Sequence, residues 1–236
     1  GAVTEYSRYA CIETLRQGFL PLRGGFRLGV CGSAVVREGE VSNLKDISSL
    51  ALRIVCERIG LGSGIAPQLF APDGRFLSTL ILSPPGGGKT TLLRDLIRVL
   101  SLGDSEHRAL RAAVIDERCE IAVCCKGRPQ MELGNHTDVL SLCPKAVGME
   151  MVLRGMNPQL IAVDEITASE DIRAMCLAAN CGVGLLASIH ASNAEELAQK
   201  PLFEELLHAR VFRRCVTIGF DGGERTYTVG ELPCCT

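Results

Sequence analysis

The segment TLILSPPGGGKTTLLRDLIRVLS, residues 79–101, constrains this chain more than any other. A short apolar strand feeds a loop of Pro and Gly, and an amphipathic helix follows at once. Ser83, Pro84 and Pro85 lead into Gly86, Gly87 and Gly88, and Lys89, Thr90 and Thr91 open the helix. Glycines let a backbone curl until several N–H groups converge on phosphate oxygens, and the helix adds the positive end of its dipole. The loop is therefore expected to cradle a nucleotide. Lys89 would reach the β and γ phosphates, and the Thr90 hydroxyl would complete the coordination of Mg²⁺. Leu92, Leu93, Leu96, Ile97 and Leu100 recur at helical spacing and give the helix one face to bury.

The pattern GxxxxGK[ST] has glycine where this chain has Ser83. A Cβ held there in the left-handed region would cost on the order of 1–2 kcal/mol. A charge-assisted bond from Lys89 to phosphate contributes roughly 1.5–3 kcal/mol, so the departure weakens the match without overturning it.

Two further apolar runs end in acids. Leu160–Val163 leads to Asp164 and Glu165, and Ala112–Ile115 leads to Asp116, Glu117 and Arg118. Carboxylates at the C-terminal ends of parallel strands face the ligand crevice of such a sheet. Asp164 is expected to hold Mg²⁺ or its water shell, and Glu165 to orient or deprotonate the attacking water. The Asp116–Glu117 pair repeats the pattern, and one of the two pairs must be secondary. His190 also falls at a strand end, after the uncharged run Gly184–Ser188, where an imidazole can sense a γ phosphate. His107, His136 and His208 sit in polar or helical settings without a comparable signal.

Apolar runs and helical stretches alternate after residue 74: strands at Thr79–Leu82, Ala112–Ile115, Leu160–Val163 and Gly184–Ile189, helices at Lys89–Leu102 and Glu170–Ala179. This is the rhythm of a parallel sheet. The close reads as a hairpin, Val211–Phe220 and Thr226–Val229, around Asp221-Gly-Gly223. Before it, a helix over Tyr6–Gln17, an extended stretch Phe26–Arg37 and a turn at Glu38-Gly39 suggest a small α+β unit; Ser48–Ile59 mixes helix and strand periods. The breaker cluster of Leu61–Gly74 places the boundary, giving a small α+β domain at 1–70 and a nucleotide-binding domain at 71–236.

With 25 basic and 27 acidic residues and 4% aromatics among 236, the chain has no global basic field to draw nucleic acid or anionic lipid. No run reaches the ~20 apolar residues of a bilayer crossing, and the first residues show no secretory signal. Twelve cysteines are scattered without paired metal-ligand spacing, and the vicinal pairs Cys124-Cys125 and Cys234-Cys235 suit a tetrahedral zinc poorly. Most are expected to be buried, reduced and apolar in role.

These residues together resemble the secretion-type ATPases, and more closely the stage III sporulation protein AA family of endospore-forming bacteria. The similarity covers nearly the whole chain: YSRYA, GGFRLGVCGSAVV with KDISSLALRI, the phosphate loop, VIDERCEI with KGRPQ, HTDVLSLCPK, and MVLRGMNPQLIAVDEI followed by SED and SIHASN. It implies a RecA-like P-loop core with a mostly parallel sheet behind a small α+β domain, using ATP and Mg²⁺. Glu165 becomes the catalytic carboxylate of a Walker B region, His190 the member of a His box that senses or couples the γ phosphate, and Glu117 a supporting acid. The resemblance also implies a homo-hexamer, peripheral at the cytoplasmic face of a membrane channel complex in the mother cell, without nucleic acid. Thr167 stands where many of these enzymes have Arg. Family members begin further upstream, so the chain is expected to lack an N-terminal segment. Arg27, Arg53, Arg118, Arg128 and Arg154 are the candidates to complete a neighbouring site.

Two other functions fit parts of this pattern. A RecA-like nucleic-acid motor would need a basic groove and stacking rings that the composition lacks. A nucleotide-responsive assembly module would bind ATP without useful turnover and would have no need of a carboxylate aimed at water.

Overall fold

The computed structural model describes residues 15–16 and 18–232. The helix expected over Tyr6–Gln17 falls outside them apart from Leu15 and Arg16, as does the Cys234-Cys235 pair. The chain divides into two compact units, Gly1–Cys56 with Val123–Met131, and Glu57–Ala122 with Glu132–Thr236.

In the first unit, β1 (Phe19–Pro21), β2 (Phe26–Arg37) and β3 (Glu40–Ile54) form an antiparallel sheet in the order β1-β2-β3. The turn between β2 and β3 places Glu38 and Gly39 at φ 52° and 84°, the left-handed pair a tight hairpin requires. Gly32 lies at an irregularity in the ladder, where a Cβ would meet the Lys45 carbonyl at 2.6 Å. Phe26, Leu28 and Val30 face Ile54, Leu52 and Leu50 across the ladder, so the mixed period of Ser48–Ile59 resolves as strand up to Ile54.

The second unit holds a seven-stranded sheet and its helices. In chain order these are β4 (Thr79–Ser83), α1 (Lys89–Leu102), β5 (Ala112–Asp116), β6 (Thr137–Ser141), α2 (Lys145–Gly155), β7 (Leu160–Val163), α3 (Ser169–Asn180), β8 (Gly184–His190), α4 (Ala194–Ala198), α5 (Glu204–His208), β9 (Arg214–Asp221) and β10 (Glu224–Glu231). The sheet order is β10-β9-β4-β8-β7-β5-β6, with every pairing parallel except the β9–β10 hairpin. Strands β4, β5 and β7 are buried on both faces, which is why they read as unbroken apolar runs. Leu92, Leu93, Leu96 and Ile97 of α1 are fully buried, each contributing about 1.5–3 kcal/mol of hydrophobic stabilisation.

Residues 57–70 are tied to this sheet unit: the Gly60 and Gly62 amides donate to the Asp95 carboxylate of α1 at 3.0 and 2.6 Å. Register then aligns the chemistry. Ser83 pairs with His190, Val163 with Ala187, and Ile115 with Val163, so the C-terminal ends of β4, β8, β7 and β5 share one edge of the sheet. No helix among the described residues is long and apolar enough to cross a membrane.

Candidate functional site

The loop between β4 and α1 takes its shape from three glycines used in two different ways. Gly86 and Gly88 adopt φ 75° and 100°, conformations that an L side chain resists. Gly87 is needed for space: a Cβ there would meet Ser83 Oγ at 1.7 Å. The expected strain at Ser83 is absent, because Ser83 is the last residue of β4 and stays in extended backbone. Its buried hydroxyl donates to the Pro84 carbonyl at 3.1 Å and fills the space over Gly87. The steric demand thus passes from the first position of the pattern to the fifth. Gly87→Ala is expected to destabilise the chain by about 1–3 kcal/mol, the range for overpacking, and Ser83→Gly in the same chain to recover most of that loss. Urea unfolding of the single and double variants measures both; equal midpoints for wild type and Gly87→Ala would show that the loop relaxes freely.

Lys89, at the first position of α1, folds back over the loop. Its ammonium donates to the carbonyls of Ser83 at 3.1 Å and Pro84 at 3.2 Å, and lies 2.7 Å from His190 Nδ1. Burial lowers its pKa from the ordinary lysine value, and the attraction of Glu165 and Asp164 opposes that shift. One turn residue later, Thr90 Oγ1 donates to Asp164 Oδ2 at 2.5 Å. The other oxygen of Asp164 accepts the Ser188 hydroxyl.

Ser188 also fixes the turn after β7. Its Oγ accepts the Glu165 amide at 3.0 Å and its carbonyl accepts the Ile166 amide at 3.0 Å. Between these bonds Glu165 sits at φ 50°, a left-handed conformation that costs on the order of 1–3 kcal/mol and turns its side chain along the strand edge. Its carboxylate meets His190 Nε2 at 3.0 Å and accepts from an Arg118 terminal nitrogen at 2.8 Å. His190 therefore bridges Lys89 and Glu165 through its two ring nitrogens. Sequence reading missed Ser188; its signal was a hydroxyl inside the otherwise apolar strand GLLASI.

The second acid pair is held differently. Asp116 is buried and accepts three backbone amides, from Glu120 at 2.8 Å, Ile121 at 3.0 Å and Ala122 at 2.8 Å. Burial raises its pKa, against the pull of those three bonds. Glu117 accepts from the buried Lys145 of α2, whose ammonium also lies 3.8 Å from Asp171. Glu117, Asp164 and Glu165 line one small cavity with Asp116, Arg118 and Lys145. Thr167, at the position where many of the resembled enzymes have Arg, donates its amide to Asp171 at 3.4 Å, and the side-chain partners of Glu165 are Arg118 and His190.

Of the other arginines singled out by sequence, Arg154 pairs with Glu150 on its own helix and the Arg27 guanidinium lies 3.7 Å from the Phe19 ring centroid. Arg53 faces Arg27 across the β2–β3 ladder, and the Arg128 backbone pairs with Cys125. His107 stacks on Phe70, His136 binds the Ser101 carbonyl at 2.9 Å, and His208 lies 3.7 Å from Glu204. Arg225 of β10, absent from the sequence-based candidates, reaches the phosphate loop and donates Nε–H to the Gly87 carbonyl at 2.9 Å.

A family model described as Sporulation stage III, protein AA matches residues 1–229. Stage III sporulation protein AA of Bacillus subtilis (strain 168) is 38% identical over 224 residues, spanning 95% of this chain and 72% of that protein. Among solved structures, the pilus retraction motor PilT with bound ADP superposes with a TM-score of 0.60 at 18% identity, over 100% of this chain and 68% of PilT. The ATPase DotB of Legionella pneumophila gives 0.57 at 19% identity, over 86% of this chain and 56% of DotB. At these identities the two structures share the fold: a mostly parallel P-loop sheet of the secretion-ATPase type.

Proposed function

Since the chain belongs to the sporulation stage III protein AA family, we propose that it is a magnesium-dependent ATP hydrolase that energises a secretion-like membrane channel complex during endospore formation. The observation that carries this reading is the bonded series Lys89, His190, Glu165, with Thr90 and Asp164 beside it, gathered at one edge of a parallel sheet from residues up to 101 positions apart.

The triphosphate would lie along the loop Ser83–Gly88, capped by Thr91 and the N-terminus of α1. Lys89 would exchange its two loop carbonyls for β- and γ-phosphate oxygens. Thr90 Oγ1 and Asp164 offer the hard oxygen donors that magnesium takes, and the ion when bound neutralises phosphate charge. Glu165 would take a proton from water as the water oxygen bonds to the γ phosphorus and the bond to the β–γ bridging oxygen breaks, releasing ADP. His190 would relay the state of the γ phosphate between Lys89 and Glu165, and Glu117 would steady the acid cluster through Lys145.

The proposal extends to a homo-hexameric ring, peripheral at the cytoplasmic face of the membrane in the mother cell, working without nucleic acid. A second reading has one observation in its favour. Glu165 is already engaged by Arg118 and His190, as it would be in a nucleotide-binding assembly module with little turnover. Calorimetry with Mg-ATP, paired with phosphate release across protein concentrations, separates the outcomes. Binding with a rate per chain that rises as rings form is expected. Binding without turnover at any concentration selects the module, and absence of binding overturns both.

A further inference from the structure

The β9–β10 hairpin lies far from the phosphate loop in sequence, yet Arg225 crosses to it, 138 positions from Gly87. Its partners are the Gly87 carbonyl and the face of Phe220, whose centroid lies 5.6 Å from the guanidinium carbon. Phe220 and Arg225 are register partners in the hairpin, so the aromatic ring and the arginine stem are set side by side by the ladder itself.

The bond to Gly87 matters because of where it points the next amide. In a trans peptide the carbonyl and the following N–H project in opposite directions. A Gly87 carbonyl held outward on Arg225 therefore turns the Gly88 N–H to the other side of that peptide plane. The peptide joins two glycines, with Gly88 at φ 100°, and rotation about such a unit meets little steric resistance. Without that bond the flipped orientation becomes accessible, and it presents a carbonyl oxygen where a phosphate oxygen has to sit.

We propose that Arg225 is a positioning residue for the phosphate loop, fixing the Gly87–Gly88 peptide with its amide toward the cradle before nucleotide arrives. The inference rests on the nucleotide-binding reading above. It assigns the work to a single donor atom, Nε, and to no charge on the phosphates. Gly88 carries a second mark of this closeness: a Cβ there would meet Arg225 Nε at 3.1 Å and its Cδ at 3.6 Å.

Side-chain chemistry offers a direct separation of donor from charge. Glutamine carries its Nε2–H one bond beyond Cδ, where arginine carries Nε; methionine has a methyl at that place; lysine has a methylene there and its charge one atom further out. Mg-ATP affinity measured by calorimetry on the whole chain is expected to stay within about threefold of wild type in Arg225→Gln and to weaken roughly tenfold in Arg225→Met and Arg225→Lys. Urea midpoints are expected to match throughout, since Arg225 is exposed. Wild-type affinity in Arg225→Met overturns the proposal. So does retention by Arg225→Lys with loss in Arg225→Gln, which would assign the effect to charge. Failure of the wild-type chain to bind Mg-ATP would instead sink the nucleotide reading, a separate result.

Discussion

Glu165→Gln is expected to lower ATP turnover about 10²- to 10⁴-fold, the span over which a positioned proton acceptor contributes, while Mg-ATP binding stays within a few-fold of wild type. The amide keeps the volume of the carboxylate, and its oxygen can still accept from Arg118 or His190, the two groups that hold Glu165 at 2.8 and 3.0 Å. The backbone turn at φ 50° is fixed by Ser188, whose hydroxyl and carbonyl accept the Glu165 and Ile166 amides, and does not depend on the carboxylate. Single-turnover phosphate release alongside calorimetry makes the measurement. Wild-type rates in the variant would remove Glu165 from the chemistry, and loss of binding together with rate would make it a structural residue.

Lys89→Met is expected to weaken Mg-ATP binding by about 10- to 100-fold or more, because the charge-assisted bonds to phosphate go with the ammonium. The same change is expected to leave the urea midpoint at or above that of wild type. The sign follows from burial. Lys89 has its pKa lowered from 10.5, chiefly by desolvation, so the unfolded chain holds this proton more firmly than the native one does. Below the native pKa the folded state carries the full cost of the buried charge, and stability recovers as pH rises through that value toward 10.5. Methionine fills a similar volume with no charge to desolvate, so the loop that loses its ligand keeps its fold. A sharply lower midpoint with affinity intact would reverse the assignment of Lys89 from ligand contact to scaffold.

Much of this organisation is legible in local sequence. The helix Lys89–Leu102, the strand Leu160–Val163 and the extended stretch Phe26–Arg37 carry periodic or unbroken apolar patterns bounded by Gly and Pro, and their limits in the structure agree with those patterns. Parallel order follows from the alternation of elements, and with it the meeting of Asp164, Glu165 and His190 at one strand edge. The strand Thr137–Ser141 has no such signal because it lies at the sheet edge and is only partly buried. The helix Lys145–Gly155 hides behind Gly148, which lowers helix propensity yet is required by contact: a Cβ there would meet Ile115 Cγ2 at 2.7 Å.

Side-chain partners that depend on tertiary approach are beyond local patterns altogether. Arg118 on Glu165 and Arg225 on Gly87 join residues 47 and 138 positions apart. The strain expected at Ser83 fails for a related reason. The pattern assumes a backbone that glycine alone tolerates, whereas this strand runs one residue further and settles the serine in ordinary extended geometry.

Three cations at the strand edge face anions of the same chain: Lys145 sits against Glu117, Arg118 against Glu165, and Lys89 is drawn by Glu165 and Asp164. Opposed signs packed this closely cancel within a Debye length of about 8–10 Å in ordinary buffers, leaving little far-reaching field to guide a polyanion inward. Capture of a nucleotide at this edge would then be governed by short-range fit once collision has occurred, and the rate of encounter should respond only weakly to ionic strength, unlike that at a site ringed by unopposed positive charge.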